Sequence, residues 1–551
     1  MSQFLTAMQS HDTLTANGAV SHSTSGSKIL DYFAKSGMCR GRKTEEVSVD
    51  LASIFGEDKL LALKTVFYNR MVTRTAKGIT DSNVSDKPQR GQGQKDEFVK
   101  TLAWLEANHP DLLKKNISLV PIVGCWKDLW YDSSASGYYH YVSPQDVYAL
   151  IKAALNSEAH RALIAKYLPK IRSNSNTKND RHRRKNAWAR GLCKFLGWTE
   201  EDYRKFKASP ENNAHTWQRL MSAGEWSKID FKSIPGRALT QIVGHKGKDG
   251  KSIIDRHNLS EKYLAWIKQQ PVAKFTGYPY ELFLKAKNNT RSLIERYTYN
   301  AQFEGLLKLA KTNVNPDLLK KGVLCALDTS GSMGSFGYYG ASGTSDMKCK
   351  PIDVCVGLGI YFSSLIEGAF KNHVVMFDST SRMLKLTGDF CDKIDQIPHN
   401  SMGGTNFQSV IDEIVRVRKA NPNIPVEDYP GVLLVVSDMQ FDPATTDGWT
   451  RTNNTEKTNY EVAMRKLASV GLPKMTVIWW CVNAYGKDVP SKMDDAGTVL
   501  IGGMDGAIVS TILEGDNERV VDAKTGEQRK LNPYEMMVKA LDQEVLNLLE
   551  V

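Results

Sequence analysis

Two hydrophobic periodicities divide this chain. From about Ile54 to Leu309, apolar positions recur every three or four residues. Examples are Leu60-Leu61-Ala-Leu63-Lys-Thr-Val66-Phe67, Phe98-Val-Lys-Thr-Leu102-Ala-Trp104-Leu105, Val147-Tyr-Ala-Leu150-Ile151-Lys-Ala-Ala-Leu155 and Ala187-Trp188-Ala-Arg-Gly-Leu192-Cys-Lys-Phe195-Leu196. That spacing predicts helices. The breaks Asn108-His-Pro110, Ser143-Pro144 and Ser209-Pro210 keep them to ordinary length. Consecutive pairs are expected to stack into an α-solenoid or an irregular helical domain, although no fixed repeat period is visible. Further on the pattern changes. Gly322-Val-Leu-Cys-Ala-Leu327 and Gly431-Val-Leu-Leu-Val-Val436 are continuous apolar runs, as expected of parallel strands buried on both faces. The pattern predicts a multidomain protein. A partly irregular segment (1–50) precedes an all-α domain (51–320), an α/β domain (321–520) and a C-terminal helix (521–551) packed back on the body.

Composition narrows the class. A chain of 551 residues can hold two or three domains, and 41% hydrophobic with 24% charged residues is ordinary for a globular protein in water. No apolar run approaches the roughly 18 to 20 residues needed to span a bilayer. The start, Met1-Ser-Gln-Phe-Leu-Thr-Ala-Met, lacks the basic and apolar stretches of a secretion signal. The eight cysteines are scattered without a CxxC pair, which suits reduced core residues. A cytoplasmic protein with no membrane contact is expected.

Charge adds an asymmetry. Residues 1–320 carry 50 Lys and Arg against 31 Asp and Glu, whereas residues 321–551 carry 22 against 30. A basic part joined to an acidic one suggests that the first meets a polyanion. The densest basic stretch runs from Lys166 to Lys194 and includes Lys178, Arg181, Arg183, Arg184, Lys185 and Arg190. Trp188, Trp198 and Tyr203 lie within or just after it. Arginine forks pair with phosphates and aromatic faces stack unpaired bases, so this segment is a candidate RNA contact; a solvated basic loop and helix face is the alternative.

Chemistry concentrates in three distant segments: Asp328-Thr-Ser330-Gly-Ser332, Gly404-Thr405-Asn406 and Ser437-Asp438. Asp328, Ser330, Ser332, Thr405 and Asp438 together offer two carboxylates and three hydroxyls. These are hard oxygen donors suited to one divalent cation, Mg²⁺ first, with Ca²⁺ or Mn²⁺ as alternatives. The first and last segments follow the two strand-like runs, and open α/β sheets bind ligands beyond the carboxyl ends of their strands. By contrast, Gly244-His-Lys-Gly-Lys-Asp-Gly250-Lys251-Ser252 has one residue too many for a phosphate-binding P-loop. It is expected to be a basic surface turn.

The Asp-x-Ser-x-Ser, Thr, Asp order resembles the metal-ion-dependent adhesion site of von Willebrand factor A (vWA) domains. The resemblance implies a Rossmann-like, doubly wound α/β fold in which Ser330, Ser332 and Thr405 reach the ion through hydroxyls. Asp328 and Asp438 would bind it directly or through water. Other phrases extend the likeness: Leu119-Val-Pro-Ile-Val-Gly-Cys-Trp126-Lys-Asp128-Leu-Trp130, Glu225-Trp226-Ser-Lys-Ile229-Asp230-Phe231, Thr405-Asn406-Phe407-Gln408 and Ser437-Asp-Met439-Gln-Phe441-Asp442. Together they are similar to a large uncharacterised family of plants, bacteria and large DNA viruses, related to the Ro autoantigen, that is, to the TROVE–vWA RNA-binding proteins. That resemblance implies a ring of HEAT-like helical repeats closed by a vWA domain. It also implies RNA as partner, either small non-coding RNAs or the single-stranded ends of misfolded ones. One departure is the insertion 334–348 after Met333, expected either as a disordered surface insertion or as a flap whose Phe336, Tyr338 and Tyr339 press on a ligand near the ion.

The leading expectation is a non-catalytic RNA-binding protein whose cation docks a partner's carboxylate. The alternative is a protein–protein adaptor without RNA. A metal-dependent nuclease using Asp328, Asp438 and Asp442 is disfavoured, because two-metal hydrolysis needs more carboxylates than this hydroxyl-rich set supplies.

Overall fold

The structure, a computed structural model, describes residues 13–39, 41–75, 88–130, 142–172, 180–209, 217–288, 290–312, 316–320, 322–334, 349–444, 457–483, 488–522 and 525–551. The chain divides into two compact units, and the division departs from the expected boundaries. One unit comprises Met1–Gly41 and Pro235–Asp542; the other comprises Arg42–Ile234 and Gln543–Val551.

The second unit is helical. Its helices include Thr44–Glu57, Lys59–Arg70, Lys95–Asn108, Pro110–Asn116, Pro144–Ala154, Glu158–Tyr167, Asp180–Leu196 and Glu200–Ala208. Each of the four periodic stretches quoted above falls on one of them. Local signals set the ends: the Asp58 carboxylate accepts from Leu61 N at 2.8 Å, and Pro110 opens the next helix after His109. Leu63, Phe67, Leu102 and Leu105 are buried in the core. Below them, Arg70 and Asp128 form a buried ion pair at 2.7 Å, with Lys95 3.3 Å from the same carboxylate. The last nine residues join this unit: Gln543 exchanges two hydrogen bonds with the Arg90 backbone and Asn116 two with that of Glu550. The expected C-terminal segment 521–551 is thus divided, its helix Pro533–Leu541 belonging to the other unit.

The first unit is built on a six-stranded sheet. Its strands are β1 (Val323–Asp328), β2 (His373–Phe377), β3 (Ser381–Lys385), β4 (Val432–Ser437), β5 (Thr476–Cys481) and β6 (Thr498–Gly502). The order is β6-β5-β4-β1-β2-β3, with every neighbouring pair parallel except the antiparallel β2–β3 edge. Strands β1, β4, β5 and β6 are buried at every position, which explains why the sequence reads as unbroken apolar runs rather than alternation.

Helix Pro351–Leu365 explains the shifted boundary. All fifteen of its residues are buried, because it packs on β1 and β4 and also on helices Pro279–Ala286 and Leu293–Lys311. Two glycines permit both approaches. A Cβ on Gly357 would lie 2.8 Å from the Tyr280 Cα, and one on Gly359 2.4 Å from a Leu327 methyl. Residues 235–311, expected in the all-α domain, therefore cover the sheet domain. At the other end of the chain, helix Lys28–Ser36 packs on β6, and its Ala34 carbonyl lies 2.1 Å from where a Gly502 Cβ would stand.

Redrawing the units also redraws the charge. The helical unit carries 32 Lys and Arg against 24 Asp and Glu, the sheet unit 40 against 37. The basic excess is milder than the division at 320 suggests, because lysines and arginines of 235–320 travel with the sheet. The glycine-rich run behaves as expected: helix Gly236–Gly244 ends in an exposed turn and Ser252 caps Ile253–Arg256. Among the described residues all eight cysteines are free and seven are buried, and no helix is long and apolar enough to cross a membrane.

Gly357→Ala is expected to destabilise the sheet unit despite a helix-propensity gain of about 1 kcal/mol, since overpacking costs about 1–3 kcal/mol. Gly56→Ala, whose Cβ meets nothing within 4 Å, should stabilise the helical unit by up to about 1 kcal/mol. Urea denaturation followed by circular dichroism checks both signs.

Candidate cation-binding site

Strands β1 and β4 are neighbours at the middle of the sheet, where the strand order reverses. A crevice at the carboxyl ends of such strands is where open α/β sheets take ligands. β1 ends on Asp328 and β4 on Ser437, followed by Asp438. The sheet thus brings the two carboxylate-bearing segments, some 110 residues apart, to one edge.

Three loops are then knitted together. After β1, Asp328 Oδ1 accepts from Ser330 N at 2.9 Å, and Ser330 Oγ lies 3.2 Å from Ser332 Oγ. The loop before helix Gln408–Ala420 is pinned to it, with Met402 N donating to Thr329 O at 2.9 Å and Gly331 N to Gly403 O at 3.1 Å. After β4, Asp442 locks onto Thr405: Thr405 N donates to Asp442 Oδ2 at 2.8 Å, and Asp442 N to Thr405 O at 2.9 Å. Met439 turns this third loop with a φ of 66°, a conformation costing about 1–3 kcal/mol in a residue with a Cβ. Its N–H donates to Ser437 Oγ at 2.9 Å, and Ser437 Oγ donates to Asp328 Oδ2 at 2.5 Å.

The five expected donors therefore share one loop cluster. Asp328, Ser330, Thr405 and Asp438 are buried and Ser332 is half-buried. Ser332 also hydrogen-bonds Asp438, whose Oδ1 accepts from Gln440 N at 3.2 Å. Burial and the facing Asp438 carboxylate push Asp328 up to about 7. Asp438 is raised as well, by burial and by Asp488. Hydrogen bonds from Ser330 and Ser437 to Asp328, and from Ser332 and Gln440 N to Asp438, oppose these shifts. Two buried carboxylates with hydroxyls beside them fit a hard divalent ion, and Lys35 lines the small cavity on the far side of Asp438, with Asp488. Among the described residues no group of three or more His, Cys, Asp or Glu is placed to hold a metal ion, so any ion here depends on the hydroxyls.

Other acidic residues have different roles. Asp353 caps helix Pro351–Leu365 and pairs with Lys287 at 2.9 Å. Asp378 Oδ1 accepts from Thr380 N. Of the insertion 334–348, all but Gly334 lies outside the described residues, including Phe336, Tyr338 and Tyr339. Sequence reasoning passed over Ser437 as the partner of Asp328, and Asn17, whose Nδ2 donates to Thr405 Oγ1 at 3.2 Å. The first was legible as a hydroxyl at the strand end; nothing local marks the second.

The candidate RNA contact is only partly described. Lys178 lies outside the described residues, as does the side chain of Arg181, which is on helix Asp180–Leu196. On the same helix Arg183 is exposed, Arg184 and Lys185 are half-buried, and Arg190 pairs with Glu200 at 2.8 Å. The nearby aromatic faces differ from expectation. Trp188 is 5% and Tyr203 0% exposed, the latter donating to Pro169 O at 2.8 Å, so both are core residues. Trp198 is half-buried against Phe206.

With this geometry in hand, comparison with known proteins adds three likenesses. Residues 323–541 match a family described as a domain of unknown function (DUF7788), and residues 15–216 match another so described (DUF2828). An uncharacterized protein of Acanthamoeba polyphaga mimivirus is 22% identical over 97% of this chain and 88% of its own length. The first match begins at β1 and spans every donor of the site.

Because the fold raises Asp328 from 3.8 to about 7, its contribution to stability is fully present below about pH 4 and lost as pH rises through 7. The cation-free protein should therefore melt lower at pH 8 than at pH 5.5, and added Mg²⁺ should raise the melting temperature more at pH 8. Asp328→Asn should abolish the Mg²⁺ effect without lowering the cation-free melting temperature at pH 8. Differential scanning calorimetry reads all three.

Proposed function

We propose that the sheet unit is a vWA-type docking module, which binds one divalent cation, Mg²⁺ first, and through it an anionic oxygen of a partner. The observation carrying this reading is the buried carboxylate pair Asp328 and Asp438, with the hydroxyls of Ser330, Ser332 and Thr405 in the same loop cluster. The ion's charge would make a partner carboxylate bind strongly from one direction only. The five parallel strands with one antiparallel edge, in an order that reverses beside β1, support the same assignment. Asp442 is engaged with the Thr405 backbone, which disfavours it as a third carboxylate for two-metal hydrolysis, so the protein is read as non-catalytic.

RNA binding by the helical unit is the second reading, as in a Ro-like ribonucleoprotein. It is favoured by the exposed Lys166, Lys170, Arg172, Arg183 and Lys194 in a unit of net positive charge. The buried Trp188 and Tyr203 remove two of the stacking faces this reading began with, so phosphate contacts carry it.

Two experiments separate the readings. Titration calorimetry of the full chain with Mg²⁺ should show one site, weakened at least tenfold by Asp438→Ala or Thr405→Ala; absence of heat at millimolar Mg²⁺ would sink the docking reading. For RNA, fluorescence polarisation with a single-stranded oligonucleotide should give an affinity that falls steeply with salt. Replacing Arg183, Arg184 and Lys185 together by Gln should flatten that slope by about two units, at roughly 0.7 per lost phosphate contact. An unchanged slope would remove the helix from the interface.

A further inference from the structure

We propose that the tip of the N-terminal hairpin is a working part of the cation site, with Asn17 the positioning residue that holds the Thr405 hydroxyl for the ion. The proposal rests on the docking reading and deepens it. Strands Thr13–Leu14 and Val20–Ser21 pair antiparallel. The turn between them closes through Gly18 N donating to Thr15 O, Thr15 N to Ala19 O and Ala19 N to Thr15 Oγ1, with Gly18 at a φ of 89°. That positive φ suits glycine and presents Ala16 and Asn17 at the tip.

The hairpin is fastened at both ends. At its base Ser21 Oγ donates to Val489 O at 2.9 Å, and His22 and Val489 exchange two backbone hydrogen bonds. At its tip Thr15 Oγ1 donates to Phe441 O at 2.6 Å and Ala16 N to Gln440 Oε1 at 2.7 Å. Phe441 and Gln440 belong to the loop that carries Asp438 and Asp442. The tip thus binds the site's third loop through three consecutive residues.

Asn17 then reaches the site itself. Its Nδ2 donates to Gln440 O at 2.6 Å and to Thr405 Oγ1 at 3.2 Å, and its side chain also hydrogen-bonds Asp442. The opposite amide orientation would set Oδ1 against the Gln440 carbonyl oxygen, two acceptors facing each other, so the network selects the donor orientation. Thr405 Oγ1 accepts one N–H, which stops its rotation and leaves it one lone pair. Asp442 meanwhile holds Thr405 N. Asn17 consequently restrains both the hydroxyl and the carboxylate that fixes its backbone. Groups that orient metal ligands in this way typically contribute about 10–100-fold to metal affinity.

The test uses the full-length protein and Mn²⁺ as the probe, with free Mn²⁺ read by electron paramagnetic resonance. Asn17 is exposed, so Asn17→Ala should leave the cation-free melting temperature unchanged while raising the Mn²⁺ Kd about tenfold. In a Thr405→Ala background the same substitution should add nothing, because it acts through that hydroxyl. A Kd unchanged by Asn17→Ala in a protein that binds Mn²⁺ overturns the role of Asn17 alone, as does an equal further loss in the Thr405→Ala background. A wild-type protein that binds no Mn²⁺ overturns the docking reading and this proposal together.

Discussion

The sheet unit turns on a repulsion left in place. Asp328 ends one buried strand and Asp438 follows its neighbour; burial raises the proton affinity of both, and the Asp438 carboxylate raises that of Asp328 further. A fold selected for stability alone would place a Lys or a neutral isostere there. Instead, hydrogen bonds from Ser330 N and Ser437 Oγ hold the Asp328 oxygens, and the strained Met439 turn presents a backbone donor to Ser437.

The surrounding architecture holds that cluster rigid. Strands buried on both faces require cover, and helix Pro351–Leu365 supplies it only because Gly357 and Gly359 let the backbone approach on two sides. Helices Pro279–Ala286 and Leu293–Lys311 then seal its far face, which is why residues that look like part of a helical array belong to the sheet unit. The N-terminal hairpin completes the unit from the other end of the chain.

The helical unit follows a different logic. Its basic helix, Asp180–Leu196, turns Trp188 into the core and leaves Arg183 and Lys194 outside. Phe195 on the same helix is 41% exposed, so the one aromatic face this helix leaves outside lies beside Lys194 rather than at Trp188.

Sequence alone was sufficient for the main elements and for placing the candidate oxygen donors at the strand ends. Unbroken apolar runs identify β1 and β4, three- and four-residue spacing identifies the helices, and the oxygen donors stand beside the strand ends, where the sheet must expose them. These are local regularities, written within a few residues of one another. The unit boundary, the burial of Trp188 and Tyr203, the charge carried by each unit and the place of Asn17 came only with tertiary structure. The Asn17–Thr405 contact spans 388 positions, and no pattern along the chain encodes such a separation. Which face of an amphipathic helix is covered, and by what, is decided by packing between elements rather than by the spacing within one.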